Sequence, residues 1–211
     1  VTATLVGLLE ESRQLGFLGP GPIDVHIDHA RAFAVAAGLD RDPVRALDLG
    51  AGGGLPGLVL AYSTWPTTRW VFLDGMERRT AFLRRAVADL GLEDRVEVVT
   101  ERAETYGRRI DARGAFDLVV ARSFGPPAAV AECAAPLLGP GGLLVVSEPP
   151  HGSTEDRWPA DGLALLGLGA AEPVEVDGGP EAVHLVRIRS DRPCGDRHPR
   201  RVGIPAKRPL F

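Results

Sequence analysis

The chain of 211 residues is short of what several protein classes require. Its two cysteines, Cys133 and Cys194, are too few for a disulfide framework or a four-cysteine zinc site. A reducing compartment, the cytoplasm, suits such a sequence. No apolar run comes near the ~20 residues of a membrane span, so no membrane partner is expected. The stretch VTATLVGLLEESRQ has no basic segment ahead of its apolar residues and soon meets Glu10, unlike a secretory signal. Lysine is almost missing: Lys207 is the single one among 24 basic residues, which speaks of genome composition rather than of a site. His26 and His29, with Asp28 between them, have no third ligand at a recognisable spacing, so no metal is expected.

The residues that are present describe a folded protein. Hydrophobic residues make up 45% and charged residues 25%, the balance of a globular core. The net charge of −4 is unevenly placed. Residues 191–211 hold Arg192, Arg197, Arg200, Arg201, Lys207 and Arg208 against Asp191 and Asp196, so a basic tail follows an acidic body. Such a tail reads either as a solvated terminus or as a phosphate contact.

Apolar spacing at Leu5, Leu8, Leu9 and Leu15 predicts a helix stopped by Gly19-Pro20-Gly21-Pro22, and a second helix over about 23–37 ended by Gly38. Strands follow at 44–49, 69–74, 95–99, 116–121 and 142–147, with helices predicted at 55–62, 77–90 and 127–138 between them. Strands separated by helices imply right-handed crossovers and a parallel sheet covered on both faces. After residue 150 a helix over 158–168 is predicted, then alternating strands at 171–176 and 182–188 joined by Asp177-Gly-Gly-Pro180. The expected architecture is one doubly wound α/β domain with a mostly parallel, seven-stranded, Rossmann-like sheet. Residues 1–40 would form an N-terminal helical cap, 44–190 the core and 191–211 the basic tail. Trp65, Trp70 and Trp158 read as packing residues.

The most informative stretch is Leu47-Asp-Leu-Gly-Ala-Gly-Gly-Gly-Leu-Pro-Gly57, where the first strand turns into a helix. Gly50, Gly52 and Gly54 let a backbone approach a ligand closely and open a helix N-terminus beneath it. A dinucleotide would suit a glycine-rich turn too, but the spacing is Gly-x-Gly-x-Gly rather than Gly-x-Gly-x-x-Gly. Asp48, two residues ahead of Gly50, is awkward for a pyrophosphate and suits the ammonium and sulfonium of S-adenosylmethionine. Asp74 closes the second strand, where an acid accepts both ribose hydroxyls of a nucleoside; its other reading is a helix cap. Arg102-Ala103-Glu104 follows the third strand and Ala121-Arg122-Ser123-Phe124 the fourth. All of these fall at the carboxyl ends of the strands, where ligands of such sheets bind.

Asp48-Leu-Gly-Ala-Gly-Gly-Gly-Leu-Pro-Gly57, Leu73-Asp74, Arg78-Arg79-x-x-Phe82-Leu83, Arg102-Ala-Glu104 and Ala121-Arg122 together resemble the RsmG family, also called glucose-inhibited division protein B. The tail from His198 to Leu210 is similar to the basic end of many members. The resemblance implies a class I methyltransferase that uses S-adenosylmethionine to methylate guanine N7 in small-subunit (16S) ribosomal RNA, with the RNA or a small-subunit particle as partner. It implies cofactor contacts at Gly50, Leu55, Ala103, Glu104 and Arg122, joined by Asp48, Gly52, Gly54 and Asp74 from the residues themselves. Members usually carry Lys-Gly at the end of strand five and His-x-x-Asp-Ser-Leu in the cap. This chain has Ser147-Glu148-Pro-Pro150 and His26-Ile-Asp-His29-Ala-Arg31.

Guanine N7 attacks with an in-plane lone pair and loses no proton, so the reaction needs alignment rather than a general base. Arg122 is the candidate positioning residue, either on a carboxylate or on a phosphate, with an ion pair to Glu104 or Asp117 as the alternative. RNA phosphates are expected on Arg197, Arg200, Arg201, Lys207 and Arg208, helped by outward-facing Arg78, Arg79, Arg84 and Arg85. The alternatives are a methyltransferase for a small molecule or another RNA, a nicotinamide oxidoreductase and a non-catalytic binding module.

Overall fold

The computed structural model describes residues 3–150, 153–177 and 182–211. Five strands, β1 (Arg45–Leu49), β2 (Arg69–Asp74), β3 (Val96–Thr100), β4 (Phe116–Ala121) and β5 (Leu138–Ser147), are parallel. β6 (Leu168–Val176) and β7 (Val183–Ser190) complete a seven-stranded sheet in the order β3-β2-β1-β4-β5-β7-β6. β7 runs antiparallel to both β5 and β6. The expected hairpin is therefore present, but its second strand, not its first, lies against β5. The turn residues 178–180 lie outside the described residues.

Burial explains the strand sequences. β1 and β4 are covered on both faces and read as near-continuous apolar runs, whereas edge strand β6 alternates with solvent. Helices α1 (Ala3–Gln14) and α2 (Ile23–Ala37) fill one face: Leu5, Leu9 and Phe33 are fully buried with Phe72, Leu118 and Val145. The described part of the expected cap thus shares the sheet's own core. The 38th residue ends α2 in the left-handed conformation (φ 58°), where glycine carries no Cβ penalty.

The expected helix after the glycine loop is shorter and wider than the apolar spacing suggests. α3 (Gly57–Val59) runs into a π-turn over Leu60–Thr64, closed by the Trp65 amide on the Leu60 carbonyl at 2.8 Å. The widening buries Trp65, which stacks on Trp70 with ring centroids 6.1 Å apart. α4 (Glu77–Asp89) and α5 (Ala103–Tyr106) follow. On the other face α6 (Pro127–Ala134) packs over Leu49, Val119 and Val71. The helix expected at 158–168 is shorter, α8 (Ala160–Leu165), starting after Pro159; a separate turn, α7 (Thr154–Arg157), precedes it, and a last turn, α9 (Ile204–Lys207), lies in the tail.

Candidate cofactor and acceptor site

The glycine loop is tied down at its base. The amides of Gly50 and Ala51 both donate to the Leu73 carbonyl, at 2.8 and 3.0 Å, so the end of β1 is stitched to the end of β2. Gly50 has φ 73°, and a Cβ there would come within 2.5 Å of the Phe124 ring. Only glycine fits both demands. Asp74 binds the loop from the side: its Oδ2 accepts the Gly52 amide at 3.0 Å and its Oδ1 accepts the Met76 amide at 2.8 Å, ahead of α4. The expected helix cap does not form, since the Met76 bond is to the amide of the N-cap residue itself; each carboxylate oxygen has a further lone pair, and Asp74 lines the cleft.

Two expected contacts are corrected. Asp48 is completely buried and is not among the residues lining the three cavities at this end of the sheet. Its Oδ2 accepts the Gly57 amide at 2.8 Å, and a Cβ at Gly57 would lie 2.5 Å from that oxygen and 2.6 Å from Phe72. Asp48 therefore pins the start of α3 from beneath, and the Leu-Pro-Gly sequence supplies the one residue that can sit there. Burial pushes its carboxyl up to about 7, more than the Gly57 hydrogen bond lowers it. Gly54 (φ 96°) is likewise interior, its missing Cβ leaving room for Leu58.

The cleft beside Asp74 has a volume of about 240 Å³ and is lined by Gly50, Asp74, Ala103 and Glu104, and also by Pro205 and Ala206 of the tail. The tail reaches it through two buried acids. Glu104 accepts the Gly203 amide at 2.8 Å. Glu132, fully buried on α6, accepts the Arg200 amide (2.8 Å), its Nε (2.8 Å) and its Nη2 (2.6 Å), and faces His198 Nδ1 at 3.3 Å. Burial alone would raise the Glu132 carboxyl; the Arg200 and His198 bonds outweigh it and hold the group below its ordinary value. The expected phosphate contact at Arg200 is thereby corrected, since its guanidinium neutralises a buried carboxylate. Arg197, Arg201, Lys207 and Arg208 are exposed. On α4, Arg84 pairs with Glu77, Arg85 with Glu11 and Arg79 with Asp74, whereas Arg78 lies over Phe17.

Arg122, following β4, stands between two further cavities. One of about 230 Å³ is lined by Gly50, Gly52, Leu55, Arg79 and Arg122. The other, of about 380 Å³, is lined by His29, Arg122, Phe124, Ser147, Glu148 and Arg157. Ser123 lines both and also the Asp74 cleft, and its φ of 56° marks the strained turn that lays Phe124 over Gly50. The alternative ion pairs to Glu104 and Asp117 do not form. Arg122 Nη2 instead donates to His26 Nδ1 at 3.1 Å, and His26 Nε2 donates to the Gly19 carbonyl at 3.2 Å. An arginine can only donate, so His26 is the neutral Nε2–H tautomer. Burial, followed by Arg122, lowers its pKa accordingly. Nothing in the sequence joined residue 26 to residue 122; His26 and His29 stand three residues apart on α2. Arg122 Nη1 and His29 Nδ1 are buried with no hydrogen-bond partner. Among the described residues no three metal-ligating side chains converge and no helix is long and apolar enough to cross a membrane.

The same fold recurs in solved structures. An O-methyltransferase of Bacillus cereus in complex with SAH matches with a TM-score of 0.62 at 18% identity, covering 90% of this chain and 91% of that one. An O-methyltransferase of Streptomyces achromogenes in complex with SAM matches with 0.61 at 18%, covering 91% of each. The fold is therefore that of the class I S-adenosylmethionine-dependent methyltransferases. Within that class residues 27–155 match the GidB family, rRNA small subunit methyltransferase G. Relatives named ribosomal RNA small subunit methyltransferase G are 38% identical in Parasynechococcus marenigrum, over 78% of this chain and 67% of the relative, and 35% identical in Moorella thermoacetica, over 79% and 69%. This chain belongs to that family.

Proposed function

We propose that the chain transfers a methyl group from S-adenosylmethionine to N7 of a guanine in 16S ribosomal RNA, free or in a small-subunit particle. Family membership carries this reading, and the site supports it. Bound there, S-adenosylmethionine supplies an electrophilic methyl group on sulfur. The residues fit such a cofactor: Asp74 has lone pairs for ribose hydroxyls, and Gly50, Gly52 and Leu55 line a cavity beside it. Ala103, Glu104 and Pro205, which line the cleft, would flank the adenine, and the buried, unpartnered Arg122 Nη1 would suit a methionine carboxylate. Asp48 and Gly54 support the loop from below.

The acceptor lone pair needs no base, so the residues around Arg122 need only align it and exclude water. A cysteine nucleophile is ill-suited here: both thiols are buried, and burial pushes Cys194 up to about 11 and Cys133 higher still. Phosphates would meet Arg197, Arg201, Lys207 and Arg208, the tail cations that stay exposed.

The test is to incubate the protein with labelled S-adenosylmethionine and either 16S RNA or small-subunit particles, then digest and separate the nucleosides. Label in 7-methylguanosine is expected. Label in another nucleoside, or transfer only to small molecules, would replace this reading with that of a methyltransferase of different substrate.

A further inference from the structure

The stretch between α1 and α2, residues 15–22, has so far no role in the site, yet it forms one of its walls. Phe17, Leu18 and Gly19 line the cavity of about 230 Å³ together with Gly50, Gly52, Arg79 and Arg122. This strap rests on the glycine loop itself. Ser12 Oγ, in the last turn of α1, donates to the Gly53 carbonyl at 2.9 Å. A Cβ at Gly53 would lie 2.5 Å from Ser12 Oγ, 2.7 Å from Leu18 Cδ2 and 2.9 Å from the Phe17 carbonyl oxygen. Gly50, Gly52 and Gly54 have positive φ, and Gly53 does not. The close approach of the strap, not a backbone angle, is therefore what requires glycine at position 53.

His26 joins the strap to Arg122. Its ring is 8% exposed, and both of its nitrogens are engaged. Nε2–H donates to the Gly19 carbonyl at 3.2 Å, and Nδ1 accepts from Arg122 Nη2 at 3.1 Å. A neutral imidazole has one donor and one acceptor, and here both are spent on a chain from strap to guanidinium. Arg13 Nη1 secures the strap further along, donating to the Gly21 carbonyl at 3.0 Å. Phe17 packs edge-on against Phe82, ring centroids 5.9 Å apart, with Arg78 over its face. Holding Nη2 fixes the plane of a rigid guanidinium, and with it the direction of the unpartnered Nη1.

We propose that His26 is the positioning residue for the amino-acid end of the cofactor, tying Arg122 and the strap into one wall around it. The proposal rests on the methyltransferase reading given above and adds the residue that sets the arginine in place. The nucleoside end is independent of this tie, because neither His26 nor the strap lines the Asp74 cleft.

The experiment compares S-adenosylhomocysteine with 5′-methylthioadenosine, which lacks the amino-acid end, by calorimetry on the full chain. His26→Phe keeps a ring without either hydrogen bond. It should weaken S-adenosylhomocysteine about ten-fold, the effect of one lost hydrogen bond to a charged group. Methylthioadenosine affinity should stay unchanged, which also reports that the variant is folded. His26→Gln, whose amide offers both an acceptor and a donor, should recover most of the loss. Gly53→Ala displaces the strap without altering His26, and decides the matter should His26→Phe not fold. It should reproduce the selective loss and speed amide hydrogen exchange at Leu18 and Gly19. Unchanged S-adenosylhomocysteine affinity in either variant, an equal loss for both nucleosides, or no recovery with His26→Gln overturns the proposal. A wild type that binds neither nucleoside strikes instead at the methyltransferase reading, and the proposal falls with it.

Discussion

The two walls of the cleft beside Asp74 are built by opposite means. One wall is the loop from Asp48 to Gly57, contiguous in sequence and shaped by backbone: positive φ at Gly50, Gly52 and Gly54, with amides on the Leu73 carbonyl and on Asp74. The other is the turn α9, about a hundred residues from Glu104, and it is held by side chains. Glu104 binds Gly203, and the buried Glu132 binds Arg200 and His198. The first wall resists change through conformation, since only glycine occupies those angles in so little space. The second depends on charge neutralisation inside the core, where one missing partner strands a buried ion.

The largest effect is therefore expected in the tail. Arg200→Ala leaves the buried Glu132 with only His198 and the backbone amide of residue 200 beside it, and chemical denaturation at neutral pH should show a loss of about 3–5 kcal/mol. S-adenosylhomocysteine affinity should fall with it, because Pro205 and Ala206 lose their anchor. Retained affinity would mean that the tail wall is dispensable. The Glu132 carboxyl lies below its ordinary value in the fold. Its contribution to wild-type stability is thus complete above the usual carboxylate pKa and lost as pH falls through the lower folded value.

Gly50→Ala attacks the other wall. Strain at φ 73° and displacement of Phe124 should cost about 1–3 kcal/mol of stability and at least ten-fold in S-adenosylhomocysteine affinity. Isothermal calorimetry separates the two effects. An alanine variant with full affinity would show that Phe124 is free to yield.

A third prediction concerns acid, and it bears on the α2 side of the site rather than on either wall. Burial, followed by Arg122 and then His26, depresses His29 from 6.5 to about 4, so the unfolded chain takes up a proton that the folded chain refuses. Stability should fall as pH drops from about 6.5 toward 4, and the slope should be shallower in His29→Gln. Urea titrations across that range measure it, and identical slopes would assign the acid sensitivity to His26.

The smallest effect belongs to the tail's outer surface. Arg201→Ala with Lys207→Ala should leave the melting temperature unchanged. Each lost phosphate contact lowers the salt slope of log RNA affinity by about 0.7–0.9. An unchanged slope would place the RNA elsewhere.

Much of the molecule was legible because its signals are local. The β4 bounds and the limits of α2 follow from apolar spacing and glycine punctuation, and the glycine loop carries its own geometry. The order in which β7 and β6 join the sheet was not legible, since either strand of a hairpin can present an edge. The division of the loop's acids was also hidden: Asp48 and Asp74 look alike as carboxylates at strand ends and both are buried, but only Asp74 lines the cleft. Similarly, a basic tail reads as a phosphate binder until Glu132 is found beneath Arg200.

The sequence by itself determined the strand and helix order, the ligand-binding end of the sheet and the loop that no other residue could replace. These depend on side-chain periodicity and on backbone angles that only glycine adopts. The tertiary structure alone decided which charges were free. Glu132 with Arg200, Glu104 with Gly203 and Arg122 with His26 are pairings across 68, 99 and 96 residues. No spacing rule operates over such separations, because a buried polar group takes whichever partner the fold brings within reach.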